Sequence, residues 1–180
     1  RDFLLHRSPN DFDVATNATP DQVESLFPKT IPVGKSFGVI IVSDGAEQVE
    51  VASFRKDGTY EDGRRPSKIE FTNAEEDAKR RDFTINGLFY DLEKRMVLDY
   101  VDGIKDLEKK VIRAIGDPAQ RFQEDHLRLL RAVRFSAQLG FEIESRTFKA
   151  VRAGCEQIQS VSGERIQEEI AKLLSSSFLE

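Results

Sequence analysis

Two aspartates one residue apart, Asp11 and Asp13, open a stretch, Asp11-Phe12-Asp13-Val14-Ala15-Thr16, that alternates at period two as a β-strand does. On a strand, residues i and i+2 face the same way, so the two carboxylates can hold a hard divalent cation through oxygen. A second strand candidate, Gln48 to Phe54, carries Glu50 between Val49 and Val51. A carboxylate there is a third metal ligand, a base for a hydroxyl, or an ordinary solvent-facing strand residue. An Asp-x-Asp is by itself a common surface pattern, and what lifts this one is the company it keeps. Two arginines and an acid stand together at Arg80-Arg81-Asp82. Four arginines, Arg121, Arg128, Arg131 and Arg134, share one helical stretch with Glu124 and Asp125.

The totals limit the chemistry to these residue types. The chain has 180 residues, one Cys and two His, too few for a zinc cluster or a disulfide framework, so it reads as an intracellular, cytoplasmic protein whose reactive groups are carboxylates and arginines. His6, His126 and Cys155 show no partner pattern and read as structural. No apolar run approaches the length of a membrane span, so no membrane partner is expected. The formal net charge of −5, with both signs mixed throughout, argues against a protein that coats nucleic acid electrostatically. Thirteen Phe and no Trp supply the aromatic burial. The abrupt start at Arg1-Asp2-Phe3, without a cap, and a last helix running to Glu180 without a stop signal suggest a piece of a longer protein.

Several elements must position these groups. Arg1 to His6 reads as the tail of a helix broken at Ser8-Pro9. Thr19-Pro20-Asp21-Gln22 is a capping box with Pro at the first helical position, opening a short helix that is expected to carry Val23, Leu26 and Phe27 into the core. Phe37 to Val42 and Gln48 to Phe54 form an antiparallel hairpin around Ser43-Asp44-Gly45-Ala46. Lys56 to Thr72 reads as a long loop, and Asn73 caps a helix leading into Arg80-Arg81-Asp82-Phe83-Thr84-Ile85-Asn86. A second hairpin joins Leu88–Tyr90 to Met96–Leu98, and Val111 to Ile115 is a last strand. After Gly116 the pattern is helical. Asp117-Pro118 opens one helix that Gly140 closes, with Phe122, Leu129, Val133 and Ala137 as its apolar stripe and Glu124, Arg128, Arg131 and Phe135 opposite. Ser145–Ile158 and Ser162–Leu174 complete a small bundle. The fold class is α+β: residues 1–115 as a mixed, largely antiparallel sheet with flanking helices, residues 116–180 as an all-helical neck.

Taken together, Asp11-Phe12-Asp13, Arg80-Arg81-Asp82-Phe83-Thr84-Ile85-Asn86 and Glu124-Asp125-His126-Leu127-Arg128-Leu129-Leu130-Arg131-Ala132-Val133-Arg134-Phe135 resemble the bacterial-type tRNA nucleotidyltransferase and poly(A) polymerase family, the class II CCA-adding enzymes of the DNA polymerase beta superfamily. The resemblance spans essentially the whole chain in order. It implies a nucleotidyltransferase head followed by a helical neck, an RNA 3′ end and ATP or CTP as partners, and two Mg2+ ions, replaceable by Mn2+, held by Asp11 and Asp13 with Glu50 as a possible third carboxylate. Arg1 would match a phosphate-contacting arginine that follows a glycine pair, and those glycines do not occur before Arg1 here. The loop from Lys56 to Thr72 resembles an element needed for adding A as well as C.

The resemblance also gives the remaining polar residues their work. Arg81 would meet phosphate or ribose oxygens, Asp82 would accept from a ribose 2′-hydroxyl, and Asn86 would support either. Asp125 would accept from an exocyclic amine and Arg128 would donate to a ring acceptor, a pair that suits cytosine and adenine and leaves guanine or uracil facing an unpaired acceptor. Glu124 would orient Arg128, and Arg131 and Arg134 would extend the positive stripe. Glu164-Arg165 reads as a cap or bundle contact. Two alternatives stay open, a poly(A) polymerase and a non-catalytic nucleotide- or RNA-binding fragment, and the oligomeric state is open as well.

Overall fold

The computed structural model describes residues 1–9, 11–45, 47–60 and 66–175. The alternating stretch becomes β1 (Asp13–Thr16), which begins at Asp13 and leaves Asp11 just before the strand. The capping box forms as read: Gln22 N–H donates to Thr19 Oγ1 at 3.4 Å, and Gln22 Oε1 accepts from Thr19 N–H at 2.8 Å. It starts α1 (Pro20–Leu26), after which come β2 (Thr30–Gly34), a strand the sequence did not betray, then β3 (Val39–Asp44) and β4 (Glu47–Ser53). These four strands make one sheet in the order β1-β4-β3-β2, with β1 parallel to β4 and the other pairs antiparallel. A small core of Val23, Ile40, Val42 and Val51 seals α1 to one face. Leu26 and Phe27, expected in that core, are exposed: Leu26 is the last residue of the helix, and Phe27 follows it in extended backbone.

The stretch from Lys56 to Thr72 is more ordered at its ends than a loop. Its ends pair as an antiparallel hairpin, β5 (Arg55–Asp57) with β6 (Ile69–Phe71), while residues 61–65 lie outside the described residues. Asn73 caps α2 (Ala74–Lys79), its side chain accepting from Glu76 N–H at 3.0 Å. The helix stops there, so Arg80, Arg81 and Asp82 follow it in a turn, and Thr84–Asn86 form a 3-10 turn. Next come the expected second hairpin, β7 (Leu88–Asp91) with β8 (Met96–Asp99), then α3 (Gly103–Glu108) and β9 (Val111–Ile112). Gly103 lets α3 sit against the 3-10 turn, since a Cβ at that position would lie 2.3 Å from the Thr84 carbonyl oxygen.

The single helix expected between Pro118 and Gly140 is two, α4 (Pro118–Glu124) and α5 (Leu127–Leu139). The break falls at Asp125, whose backbone is extended and whose Oδ1 accepts from Leu127 N–H at 3.1 Å, so the residue turns from helix interior to helix cap. The break re-phases the apolar stripe. Phe135 and Ala132 face the core and Val133 is exposed, the reverse of the one-helix reading for Phe135 and Val133. β10 (Glu142–Ile143) then pairs in parallel with β9, an exception to an all-helical second half. The chain ends its described part in α6 (Ser145–Gly154), a 3-10 turn (Cys155–Ser160) and α7 (Gly163–Leu174).

The larger core contains Phe83, Ile85, Leu107, Ile112, Phe122, Leu129, Ala132, Phe135, Leu139 and Phe141, and so runs across the Gly116 junction. Phe83 is its centre, fully buried with its ring edge-on to Phe135 at 5.8 Å. Its neighbours Asp82 and Thr84 are tied by backbone bonds to Ile115 and Arg113. No helix among the described residues is long and apolar enough to cross a membrane. Truncating Phe83→Ala is expected to cost about 3–5 kcal/mol of unfolding free energy, read as a lower urea midpoint. A loss below about 1 kcal/mol would show that this ring does not hold the two halves together.

Candidate functional site

Parallel pairing of β1 and β4 sets Asp13 beside Glu50 in register, on the sheet face opposite the α1 core. Burial, and then the adjacent Asp13 carboxylate, push the Glu50 carboxyl above its ordinary range. Like charges held together with oxygen donors suit a hard cation, which would relieve their repulsion. Asp11 lies two residues earlier, outside the strand. Among the described residues no group of three or more His, Cys, Asp or Glu side chains is arranged to hold a metal ion. The described structure thus brings Asp13 and Glu50 together and leaves Asp11 apart from a closed cluster.

A cleft of about 350 Å³ opens between the turn after α2 and the α4–α5 junction. Six residues singled out by the sequence line it: Arg81, Asp82 and Asn86 from one side, Asp125, Arg128 and Arg131 from the other. A depression of about 400 Å³ beside α1, lined by Asn17, Ala18, Gln22, Ser25 and Leu26, is lined by no charged side chain and lacks the means to hold a charged ligand.

Buried Asp82 is the anchor of the cleft. Its Oδ2 accepts from Arg131 Nε at 2.8 Å, and its Oδ1 accepts from Phe83 N–H at 2.7 Å and Asn86 Nδ2 at 3.1 Å. Burial opposes ionisation, but the Arg131 charge and these hydrogen bonds outweigh it and hold the carboxyl below its ordinary value. For Arg131 the same balance runs the other way: burial disfavours its charge, and Asp82 and Glu169 restore it and raise the value. Arg81 lies over the Phe89 ring at 4.5 Å, with Nε on Asp77 Oδ2 at 3.2 Å and one terminal nitrogen on the Asn86 carbonyl at 3.1 Å.

At the α4–α5 junction both expected base-reading groups are held by partners. Arg165 grips Asp125 with two bonds, of 3.2 Å to Oδ1 and 2.9 Å to Oδ2, and Leu127 N–H takes a third acceptor position, so one of the four lone-pair sites of a carboxylate is left. Arg128 donates to Glu124 at 2.7 Å and to the carbonyls of Arg121 and Arg80 at 3.0 and 3.3 Å, leaving two of its five N–H groups. One acceptor and two donors thus remain, side by side on adjoining helix ends.

Six residues expected at the site do not line the cleft: the carboxylates Asp11, Asp13 and Glu50, and three of the expected nucleotide-binding residues. Glu124 stands behind Arg128 and also accepts from Arg121 at 2.8 Å. Arg1 donates to Asn86 Oδ1 at 3.0 Å and lies over Phe135 at 5.1 Å. Arg134 points into the protein, bonded to Glu169 and to Gln138, with its guanidinium 3.9 Å from the centre of the Phe135 ring. The positive stripe therefore ends at Arg131, since α5 turns Arg134 onto α7. Three lining residues were missed as site residues: Arg80, Leu127 and Arg165. Arg165 was visible as a motif residue, but its partner lies 40 positions away and no spacing rule links them.

Residues 1–113 match the family described as the Poly A polymerase head domain, and residues 140–180 match one described as a probable RNA and SrmB-binding site of polymerase A. The chain belongs to the poly(A) polymerase head-domain family. It is 46% identical over 181 residues to the CCA-adding enzyme of Bacillus pumilus, an alignment covering 100% of this chain and 45% of that enzyme. The fold superposes on the Bacillus stearothermophilus CCA-adding enzyme in complex with CTP with a TM-score of 0.89 and 37% identity, covering 98% of this chain and 42% of the other. The Thermotoga maritima CCA-adding enzyme complexed with tRNA gives a TM-score of 0.76 and 26% identity, covering 98% and 41%. The chain therefore spans less than half the length of the relatives it matches.

Because the folded state depresses the Asp82 carboxyl, its contribution to stability is present above the unfolded value of about 3.9 and is lost as pH falls through the lower folded value. Unfolding free energies of wild type and Asp82→Asn, from urea titrations, should differ by about 2 kcal/mol near neutral pH and converge in strong acid. A gap that stays constant down to pH 2 would contradict this.

Proposed function

We propose that this chain is the catalytic head and neck of a template-independent RNA nucleotidyltransferase that adds CMP and AMP, from CTP and ATP, to tRNA 3′ ends. The observation that carries this reading is the arrangement at the α4–α5 junction, where one acceptor on Asp125 and two donors on Arg128 are left over by otherwise complete bonding. An exocyclic amine next to a ring acceptor fits that edge, and cytosine and adenine both present one. A carbonyl in the amine's place, as in uracil or guanine, meets a carboxylate and goes unpaired. The names of the relatives favour this substrate over a poly(A) tail, and the family description keeps poly(A) addition as the second reading.

In this reading the nucleotide lies along the cleft with its base at Asp125 and Arg128 and its ribose and phosphates toward Arg81, Asp82 and Asn86. Asp82, already fixed by Arg131 and Asn86, accepts from a ribose 2′-hydroxyl, which selects ribonucleotides. Arg81, held by Asp77 and by the Phe89 face, supplies positive charge for phosphate oxygens. Arg1 reaches the same place through Asn86. Asp11 and Asp13, with Glu50 alongside, are the groups that would hold Mg2+, with Mn2+ as a substitute. Bound there, the ions would lower the pKa of the attacking 3′-hydroxyl and neutralise charge on the attacking and leaving oxygens. The division at residues 1–115 and 116–180 becomes one of labour, chemistry and phosphates on the first part, base choice on the second. A cytoplasmic setting goes with this activity.

The test is incorporation by the full-length protein on tRNA ending before CCA, after C and after CC, with each nucleoside triphosphate given singly. CTP should extend the first two primers and ATP the third, with GTP and UTP inert. Asp13→Ala should reduce every incorporation at least about a hundredfold. ATP tailing of any RNA, with no C added from CTP, would select the poly(A) reading, and incorporation unaffected by Asp13→Ala would refute the catalytic assignment.

A further inference from the structure

Arg80 lines the cleft, yet its side chain is directed away from any ligand. Its Nε donates to Asp77 Oδ1 at 2.9 Å and to the Arg55 carbonyl at 3.0 Å; one terminal nitrogen lies 2.7 Å from Asp77, and the other 3.6 Å from Asp57. Both carboxylates are almost wholly buried, with side chains 3% and 4% exposed, so each needs its cationic partner and the guanidinium is committed. What Arg80 offers the neighbouring helices is its backbone carbonyl. That oxygen accepts from Arg121 at 3.0 Å and from Arg128 at 3.3 Å, the two arginines that share Glu124.

The other end of the arrangement lies in the β5–β6 hairpin. Asp57, the last residue of β5, accepts from Arg55 Nε at 3.1 Å and from the Tyr60 hydroxyl at 2.7 Å. Tyr60 forms an isolated bridge with Pro66, and burial together with Asp57 raises its phenol well above the ordinary value, while Arg128 and Glu124 are near enough to perturb it. Two buried acids thus clamp one arginine, and that arginine's carbonyl is one of three acceptors that fix Arg128.

We propose that Arg80, clamped by Asp77 and Asp57 with the Tyr60 hydroxyl completing the second carboxylate, is a positioning residue that sets where Arg128 stands and so tunes base discrimination from outside the base contacts. This rests on the reading of Arg128 as a base-reading group. Loosening Asp57 lets the Arg80 carbonyl shift, and Arg128 then trades a fixed donor position for several. Discrimination between bases should fall, while binding of the triphosphate, which depends on Arg81 and the opposite wall, should hold.

The experiment measures equilibrium dissociation constants of the full-length protein for CTP, UTP and inorganic triphosphate, with Mg2+ and without tRNA, for wild type, Asp57→Asn and Tyr60→Phe, beside their melting temperatures. Expected is a fall of about fivefold or more in the UTP to CTP ratio, with inorganic triphosphate changed less than twofold. Tyr60→Phe removes a single hydroxyl and keeps the test decisive where Asp57→Asn does not fold. A lower melting temperature with the wild-type ratio, in whichever variant folds, overturns the proposal. A wild type that binds CTP and UTP equally removes the base-reading role of Arg128, and this proposal with it; a discriminating wild type matched by its variants overturns the positioning role of Arg80 alone.

Discussion

A carboxylate shut away from water must be answered within hydrogen-bond distance, and at Asp82 the answer comes from the far side of the molecule. Arg131 approaches from α5, 49 positions along the chain, while Asn86 and the Phe83 N–H bond from the same turn. Removing Arg131 would leave the Asp82 carboxylate buried without its countercharge. The turn after α2 and the helix α5 are therefore held at one separation, and the cleft between them has a width set by an ion pair rather than by apolar contact alone. Phe83 and Phe135, adjacent to these residues, fill the space beneath.

That constraint explains why so many charges crowd a small volume without being wasted. Each arginine of the region has a protein acceptor that fixes its plane: Asp77 for Arg80 and Arg81, Glu124 for Arg121 and Arg128, Asp82 for Arg131, Asp125 for Arg165. A guanidinium so held keeps unused N–H groups at fixed directions, and a ligand meets donors whose ordering entropy was lost in folding. The pairing also keeps the local charge near balance, consistent with a chain that is acidic overall.

Local signals were legible wherever a residue's neighbours in sequence are its neighbours in space. The capping box at Thr19, the cap at Asn73, both hairpins and most of the strand read over Asp11–Thr16 are of this kind, and so is the Glu124–Arg128 pair, four positions apart across the break at Asp125. The failures have two sources, one local break that periodicity does not register and several contacts at long range. Periodicity carried one helix from Pro118 to Gly140, because nothing in a helical wheel signals that Asp125 would leave the helix to cap its successor. The resulting change of phase moved Phe135 inward and Val133 outward. Arg134 looked like an equal member of an arginine stripe until Glu169, buried on α7, drew it into the interior. For the same reason the sequence marked both Asp125 and Arg165 but gave no hint that they pair. The carboxylates at Asp11, Asp13 and Glu50 are intermediate: the strands that carry Asp13 and Glu50 were readable, but the parallel pairing that sets them side by side joins positions 37 residues apart and is not set by alternation.

The break at Asp125 has a consequence for how such a protein can change over time. One side chain ends α4, starts α5 and keeps its last lone pair at the cleft, so under the proposed function the same atoms would serve both folding and choice of substrate. A substitution that would read a different base also uncaps a helix and frees Arg165 in a half-buried place. Under the proposed function, altered preference would therefore be easier to reach through the supporting acids and carbonyls behind Arg128 than through Asp125 itself. The route of least cost for divergence runs behind the site.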